Sequence, residues 1–479
     1  MKSKLRYYLL SALFLSVFTS CDDLINIDPV SEIPASEMWQ STREVKAGVN
    51  QLYSLFRTTM RRNYYYWGEF RSDNFIEGSS LATDQQEIVR NILTSSHPSS
   101  MWSDLFRMIN QANLAIKYIP DAKMNTIAEK EDYLAQSYAM RALGYFYAVL
   151  VWGDVPLYTE PNEIYDERLY KTRADADSIL RNVVLEDLKK AESMTSFVVN
   201  KERKRISLMG IRAIMADVYM WLHEYNLADQ TIEKIKRTSD FVALADNIDS
   251  WSKLFTEELQ KKAPDRSPTT DEYSSKELIF VIHFDMDEVG TYGYSLAYSL
   301  FYGPKGSRSV SISDPFISKF ENGDLRKDHI VTNVSGDWRF TKFAKGTIST
   351  SLSQTCEVAY PVYRMTDMIL LQAEAKANMG KWDEALDLVK TIRQRAGLST
   401  PSSVSFNSLD ELVDFILKER QIELVGEGRR WFDLLRTNRW KKVMEPINGM
   451  KTEGNQWFPI YFQHLDDNPL LKQNSYYGS

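Results

Sequence analysis

ERQIELVGEGRRWFDLLR, residues 419–436, interleaves charge, glycine and apolar residues too systematically for an ordinary surface helix. Leu412, Phe415, Ile416, Ile422 and Val425 fall at helical spacing. Trp431, Leu434 and Leu435 form a second apolar face beyond the glycines, so the pattern predicts two helices meeting at Gly426 and Gly428. Glu419, Arg420, Glu423, Arg429, Asp433 and Arg436 stand three and four residues apart, the separations at which opposite charges on one helix become neighbours. A solvated charged face is the plainer explanation of such a run. Aromatic, glycine and paired charge at this density argue instead for a buried or semi-buried network. Gly426 and Gly428 do not form a phosphate loop, because no strand precedes them and no third glycine or Lys-Ser/Thr follows.

The 479 residues suffice for one large domain or for two to three smaller ones. A formal net charge of -7 gives no reason to expect nucleic acid. Aromatic residues make up 12%, and Trp and Tyr serve cores and ligand platforms alike. Residues 1–20 have the form of a secretory signal: Lys2, Lys4 and Arg6, an apolar run from Tyr7 to Phe18 too short to span a bilayer comfortably, then small residues before Cys21. Cys21 is expected to be acylated and to become the first mature residue, with Phe18 standing where such sites usually carry Leu. That leaves Cys356 as the remaining thiol and no intramolecular disulfide. With no His close by in sequence, Cys356 reads as a small packed residue rather than a nucleophile.

Residues 21–35 carry Pro and Asp without an apolar period and read as an extended tether, leaving 36–479 as a single domain. Ser41, Thr42 and Glu44 start a helix with Val45, Val49, Leu52, Tyr53 and Phe56 inside. Further helices run from Trp102 to Ile116 and from Tyr133 to Val151, the latter ended by Gly153 and Pro156. AIMADVYMWLHEYNLADQTIEKI from Ala213 and LLQAEAKANMGKWDEALDLVKTI from Leu370 align without a gap, Tyr225 on Trp382 and Ala228 on Ala385. Small residues on a first helix, a turn, then an aromatic and an Ala is how tetratricopeptide-type helix pairs interlock. Two distant copies predict irregular helix-pair packing around an insertion at 239–360, which is loop-rich apart from a strand-like run at Leu278 to Phe284.

Several of these stretches resemble the SusD/RagB family, surface lipoproteins of Bacteroidetes that capture nutrients for TonB-dependent transporters. The resemblance rests on the 419–436 segment, FYAVLVWGDVPL at 146–157, DLRKD at 324–328, RMTDMILLQAEAKANMG at 364–380 with WDEALDLVKTIRQRAGL after it, and LKQNSYYG at 471–478. It covers essentially the whole mature chain in the family's order, and Asp22 and Asp23 resemble the family's acidic export signal. It implies a mainly α fold with four tetratricopeptide-like helix pairs and a loop-rich ligand-binding half. It also implies a lipid-anchored outer-membrane protein facing the cell exterior, without enzymatic activity or cofactor. The implied partner is a SusC-like TonB-dependent transporter and the implied ligand an oligosaccharide, or a peptide as in the RagB branch. Two other classes compete. An all-helical glycoside hydrolase or lyase needs paired carboxylates at a cleft and evenly spaced hairpins, and the even spacing is absent. A tetratricopeptide scaffold for protein partners fits poorly with a lipoprotein signal and a long aromatic insertion.

Aromatic faces cover the apolar side of a sugar ring while Asn, Asp and Arg satisfy its hydroxyls, which directs the search for ligand residues. Tyr64, Tyr65, Tyr66 and Trp67 are consecutive, and no helix or strand buries all four on one side, so at least one is expected at the surface. Arg71, Ser72, Asp73 and Asn74 follow, resembling the family's Ser-Asp pair near the ligand loops. We take Tyr66, Trp67, Arg71, Asp73, Asn74, Tyr292, Tyr294, Trp338 and Arg339 as ligand-binding candidates, the last four by region alone. The plainer alternative for each ring is core packing, and for Asp73 the capping of a turn. Asp285, Asp287 and Glu288 lack the ligand series of an EF-hand and read as an acidic turn rather than a calcium site. His97, His223, His283, His329 and His464 show no metal spacing.

Overall fold

The computed structural model describes residues 38–163, 169–195, 203–238, 243–259, 275–284, 295–302, 308–344 and 358–478. The signal, Cys21, the tether, Asp285, Asp287, Glu288, Tyr292, Tyr294 and Cys356 lie outside these residues. Within them the fold is mainly α. Helices α1 (Thr42–Gly68) and α2 (Ser103–Tyr118), α3 (Ile127–Trp152) and α4 (Leu185–Met194), α5 (Leu208–Trp221) and α6 (Tyr225–Thr238), and α7 (Met365–Asn378) and α8 (Trp382–Arg395) pack as four pairs. Each pair lies against the next, α2 on α3, α4 on α5, α6 on α7. Ala228 and Ala385, the small residues of the two aligned segments, are fully buried.

Local signals set the ends of these helices. Glu44 reaches back to accept from the Ser41 backbone N–H at 2.9 Å, fixing the start of α1. Thr126 caps α3 by accepting from Glu129 N at 3.1 Å, and Gly153 ends it at φ 72, a conformation open to glycine. In α3 every residue from Ala139 to Trp152 is buried. Short strands β1 (Phe75–Glu77), β2 (Leu278–Ile282), β3 (Val310–Ile312), β4 (Val331–Val334), β5 (Asp337–Phe340) and β6 (Tyr360–Arg364) pair antiparallel as β1–β3, β2–β6 and β4–β5.

The 419–436 segment forms the end of α9 (Leu409–Leu424), a turn with Gly426 at φ 77 and Gly428 at φ 66, and α10 (Arg430–Arg436). α9 packs on α7, and α10 packs on α1. Neighbour pairing along the helix, expected from the charge spacing, gives way to tertiary pairing. Inside the segment Asp433 meets Arg436 at 2.8 Å and Arg420 at 3.0 Å, but the other partners come from distant segments. Glu423 accepts from Arg364 (3.0 Å), Arg395 (2.6 Å) and Arg326 (3.2 Å). Glu419 meets Arg326 and Arg393, Glu427 holds Arg364 and Lys342, and Glu277 holds Arg364 and Arg395. On the other side Arg420 bridges Asp367 and Asp433, Arg429 meets Asp217 and Asp367, and Arg436 reaches Glu374.

Burial raises the cost of every one of these charges, and pairing offsets it. The guanidinium groups of Arg395, Arg364 and Arg326 hold the Glu423 carboxyl well below the usual carboxylate range against its full burial. Removing one member strands the others without water. Glu423→Ala is therefore expected to destabilise the protein by about 3–5 kcal/mol in denaturant unfolding, whereas Glu77→Ala, which breaks a surface pair with Arg90, costs at most about 1 kcal/mol.

Candidate functional site

The chain leaving α1 runs inward. A Cβ on Gly68 would lie 2.0 Å from the Gly428 carbonyl oxygen, so the two backbones touch and only glycine fits. Next to this contact, the buried Glu69 carboxylate accepts from Gly426 N (3.1 Å), Gly428 N (3.0 Å) and Asn74 Nδ2 (2.6 Å). Burial nevertheless pushes its pKa up to about 7.

The exposure expected among Tyr64 to Trp67 is not found, for all four rings are buried. The end of α1 is enclosed on every side, so alternate faces of the helix all meet protein. Tyr64 stacks on Tyr360 at 4.6 Å and donates to the Pro361 carbonyl at 2.7 Å. Tyr66 packs against Phe70 at 5.7 Å, and Trp67 donates to the Ser99 carbonyl at 2.9 Å beside Trp152.

Arg71 is fully buried between the rings of Trp431 (4.5 Å) and Phe458 (4.9 Å) and spends its donors on Asn91, Asn455 and Gln456. Asp73 is paired with Arg430 at 2.8 Å. That cation, with Lys319 and a hydrogen bond from Gln421, draws the Asp73 pKa down to about 2 against the opposing effect of burial. Asn74 is shared between Glu69 and Gln421. These five candidates sit in the interior with their polar atoms directed at protein partners.

Trp338 and Arg339 are different. β1 continues directly from Asn74 and pairs with β3, and β5 packs beside β3. The fold thus brings residues 71–77 and 337–340 to one corner. Beneath it Phe340 meets Phe75 at 5.3 Å and Phe301 at 4.6 Å. Ser335 and Gly336, at φ 55 and 89, turn the β4–β5 hairpin, and the Asn333 side chain accepts from Gly336 N at 2.9 Å. Arg308 Nη2 donates to both Asp337 oxygens at 2.6 Å and anchors the hairpin. Trp338 is half-buried, with the Lys327 ammonium 5.0 Å from its ring centre.

Arg339, with Thr332 opposite it, Val334 and Thr341, faces a cavity of about 420 Å³. Asp328 and His329 line it from just ahead of the hairpin, Ser252 and Thr256 carry the opposite wall, and the floor is Trp251, Phe255 and Lys342. Lys342 is buried and donates to the carbonyls of Glu423 and Val425 and to Glu427, which ties the floor to the ion network. Hydroxyls, a guanidinium, an imidazole and one carboxylate around a mouth of this size suit multiple hydrogen bonds to a polyhydroxylated ligand. The sequence singles out Arg339 as a candidate but gives no sign of the cavity. The alternation of VTNV and DWRF about Ser335-Gly336 signals the hairpin, while the opposite wall comes from a segment some eighty residues earlier. Among the described residues, no group of His, Cys, Asp and Glu has the makings of a metal site.

Two predictions follow from the burial of this region. Trp67→Ala is a core truncation and is expected to cost about 3–5 kcal/mol in unfolding experiments. Glu69, whose pKa in the fold lies above the 4.5 of a free side chain, contributes stability that is present below pH 4.5 and lost as pH rises to about 7. Against a Glu69→Gln variant, the wild type should therefore lose up to about 3 kcal/mol across that window in pH-dependent unfolding.

A family model described as SusD family matches residues 322–477, and one described as starch-binding associating with outer membrane matches residues 27–253. SusD-like protein P38 of Formosa agariphila is 32% identical over 503 residues, covering 96% of each chain, and SusD-like protein P25 of the same organism is 24% identical over 95% of each. Among solved structures, a laminarin binding SusD-like protein superposes with a TM-score of 0.75 at 21% identity, over 91% of this chain and all of that one. B. fragilis NanU superposes with a TM-score of 0.75 at 24% identity, over 94% of this chain and 99% of that one. Helix pairs, signature segment and relatives agree from end to end, and the chain belongs to the SusD family.

Proposed function

We propose that this protein is a cell-surface lipoprotein that binds an oligosaccharide and passes it to a SusC-like TonB-dependent transporter. The observation that carries the reading is the cavity under the β4–β5 hairpin, where Arg339, Thr332, Thr341, Asp328 and His329 surround a space able to hold a sugar ring. Its relatives support the ligand class: a family model matching nearly half of the chain is described as starch-binding, and a protein of the same fold is a laminarin binder. Trp338, at the corner of the same hairpin, offers a partly open ring, and Tyr292 and Tyr294 belong to the proposed ligand set by region. Tyr66, Trp67, Arg71, Asp73 and Asn74 would act from beneath, holding the corner in shape. Binding rather than cleavage is supported by the relatives, among them a family described as starch-binding and a laminarin binding protein of the same fold. Cys21 would carry the lipid that anchors the protein to the outer membrane.

Calorimetry of the mature protein against a glycan panel and a peptide pool tests the ligand class. We expect an oligosaccharide to bind and Arg339→Ala or Trp338→Ala to weaken it at least about tenfold with little change in melting temperature, as loss of a charged hydrogen bond or a stacking face would. Binding of peptides alone, or cleavage of the sugar, would overturn the reading. For the anchor, Cys21→Ala should move the protein from the membrane fraction to the soluble one.

A further inference from the structure

A second cavity, of about 430 Å³, lies against the N-terminal half of α2. Phe106 and Asn110 of that helix wall it, with Tyr158 and Asn162 from the chain that follows α3 and His464 and Asn468 from near the C-terminus. Among the described residues it shares no lining with the cavity under the hairpin. Rings set its shape. Trp102 stacks on His464 at 5.1 Å with planes 8° apart, and Phe106 meets Tyr158 edge to face at 6.0 Å and 87°. Phe106 and Tyr158 are only partly buried, so a six-membered sugar ring laid on one of them is met along its side by the other. The Tyr145 hydroxyl donates to the Tyr158 carbonyl at 2.9 Å and accepts from its N–H at 2.7 Å, while the Tyr158 hydroxyl donates to the Leu169 carbonyl at 2.6 Å. This wall is held in place by the protein itself.

The polar groups beside these rings keep bonding capacity after their own contacts are counted. Asn110 holds the backbone of Asn162 twice, its Nδ2 donating to the Asn162 carbonyl at 3.2 Å and its Oδ1 accepting from Asn162 N at 2.7 Å. One N–H and one lone pair of the Asn110 amide remain, and the Asn162 carboxamide takes part in neither bond. Asn468 is used in the same way, its Nδ2 donating to the Lys171 carbonyl and its Oδ1 accepting from Leu470 N, each at 3.0 Å. His464 Nε2 accepts from Trp102 N at 3.2 Å, which places the ring hydrogen on Nδ1 as a further donor. Burial lowers the His464 pKa to about 4, so the imidazole stays neutral near pH 7. Donors and acceptors side by side around two crossed rings suit a sugar, whose hydroxyls lie at its rim and whose C–H groups lie on its faces.

We propose that this cavity is a second saccharide site, separate from the hairpin cavity, holding one unit of a neutral oligosaccharide between Phe106 and Tyr158. That its ligand is a sugar rests on the glycan-capture reading above, and its place and contacts rest on this cavity alone. Phe106 and Tyr158 cover the C–H faces, while Asn110, Asn162 and His464 Nδ1 take the hydroxyls. Two separate sites raise the number of short oligosaccharides that one chain carries from one to two, which makes stoichiometry the direct readout.

The test is calorimetry of the mature protein with maltotriose and with laminaritriose, on the wild type, on Arg339→Ala and on a Phe106→Leu, Asn162→Ala double variant. Leucine keeps an apolar side chain but loses the flat face, and Asn162→Ala removes a carboxamide at an exposed position while leaving the backbone bonds to Asn110 in place. At least one of the two sugars is expected to bind at two per chain in the wild type and at one per chain in the double variant, with the remaining affinity unchanged. Asn162→Ala alone, at unchanged melting temperature, should weaken the second site at least about threefold, which keeps the test open if the double variant fails to fold. The proposal is overturned if these variants titrate as the wild type does. One site per chain that depends on Arg339 and not on Phe106 or Asn162 would remove this proposal and leave glycan capture at the hairpin standing. One site that depends on Phe106 and Asn162 and not on Arg339 would uphold it and remove the hairpin cavity as a sugar site. Binding of neither sugar would remove both.

Discussion

Charge taken out of water has to find charge, and in this fold the search converges on Glu423. Its carboxylate joins Arg326 from the loop ahead of the β4–β5 hairpin, Arg364 from the end of β6 and Arg395 from the end of α8. Arg364 then passes the connection to Glu277, just ahead of β2, and to Glu427. A hydrophobic core tolerates sliding among residues of similar volume, but a paired guanidinium and carboxylate do not. The network therefore fixes the register of segments that no regular sheet unites. It also explains how a loop-rich half can be held against a helical half without a continuous β-layer between them.

The same pairing shapes the surface that a ligand meets. Lys342 forms part of the floor of the hairpin cavity with its ammonium turned inward onto Glu427 and two carbonyls, so the positive charge there is neutralised. Arg339, partly exposed above it, keeps its reach toward solvent even with Asp337 at 3.5 Å. Arg308 holds that aspartate from below. One arginine anchors the hairpin and the next presents it, a division of labour that lets the exposed group vary without loosening the fold.

Much of the helical half was legible in the sequence because its signals are local. Glu44 three residues beyond Ser41, the Gly153-Asp-Val-Pro stop and the alanines at 228 and 385 each act within a turn or a neighbouring helix. The break at Gly426 and Gly428 was legible for the same reason. The aromatic run at 64–67 was not, because an α-helix exposes one face only if nothing covers it, and what covers α1 arrives from β6, α10 and the C-terminal segment. Arg71 makes the point in one side chain: its partners Asn455 and Gln456 lie more than 380 positions away. The charges of 419–436 were legible as a network but not as to partner, since spacing along a helix reports neighbours and burial recruits strangers.

The contact between Gly68 and Gly428 has a consequence for how the molecule comes into being. Glu69 and Gly428 are separated by 359 positions, and the seat of α1 exists only once the turn between α9 and α10 is in place. Closing so long a loop is slow and entropically costly, and until it closes Gly68 and Glu69 at the inner end of α1 lack the backbone they pack and bond against. A ribosome delivering the chain from its N-terminus thus releases an α1 whose inner end must wait for Gly426 and Gly428. Two hydrogen atoms, standing where side chains would be, tie the seating of the first long helix to one of the last segments of the chain.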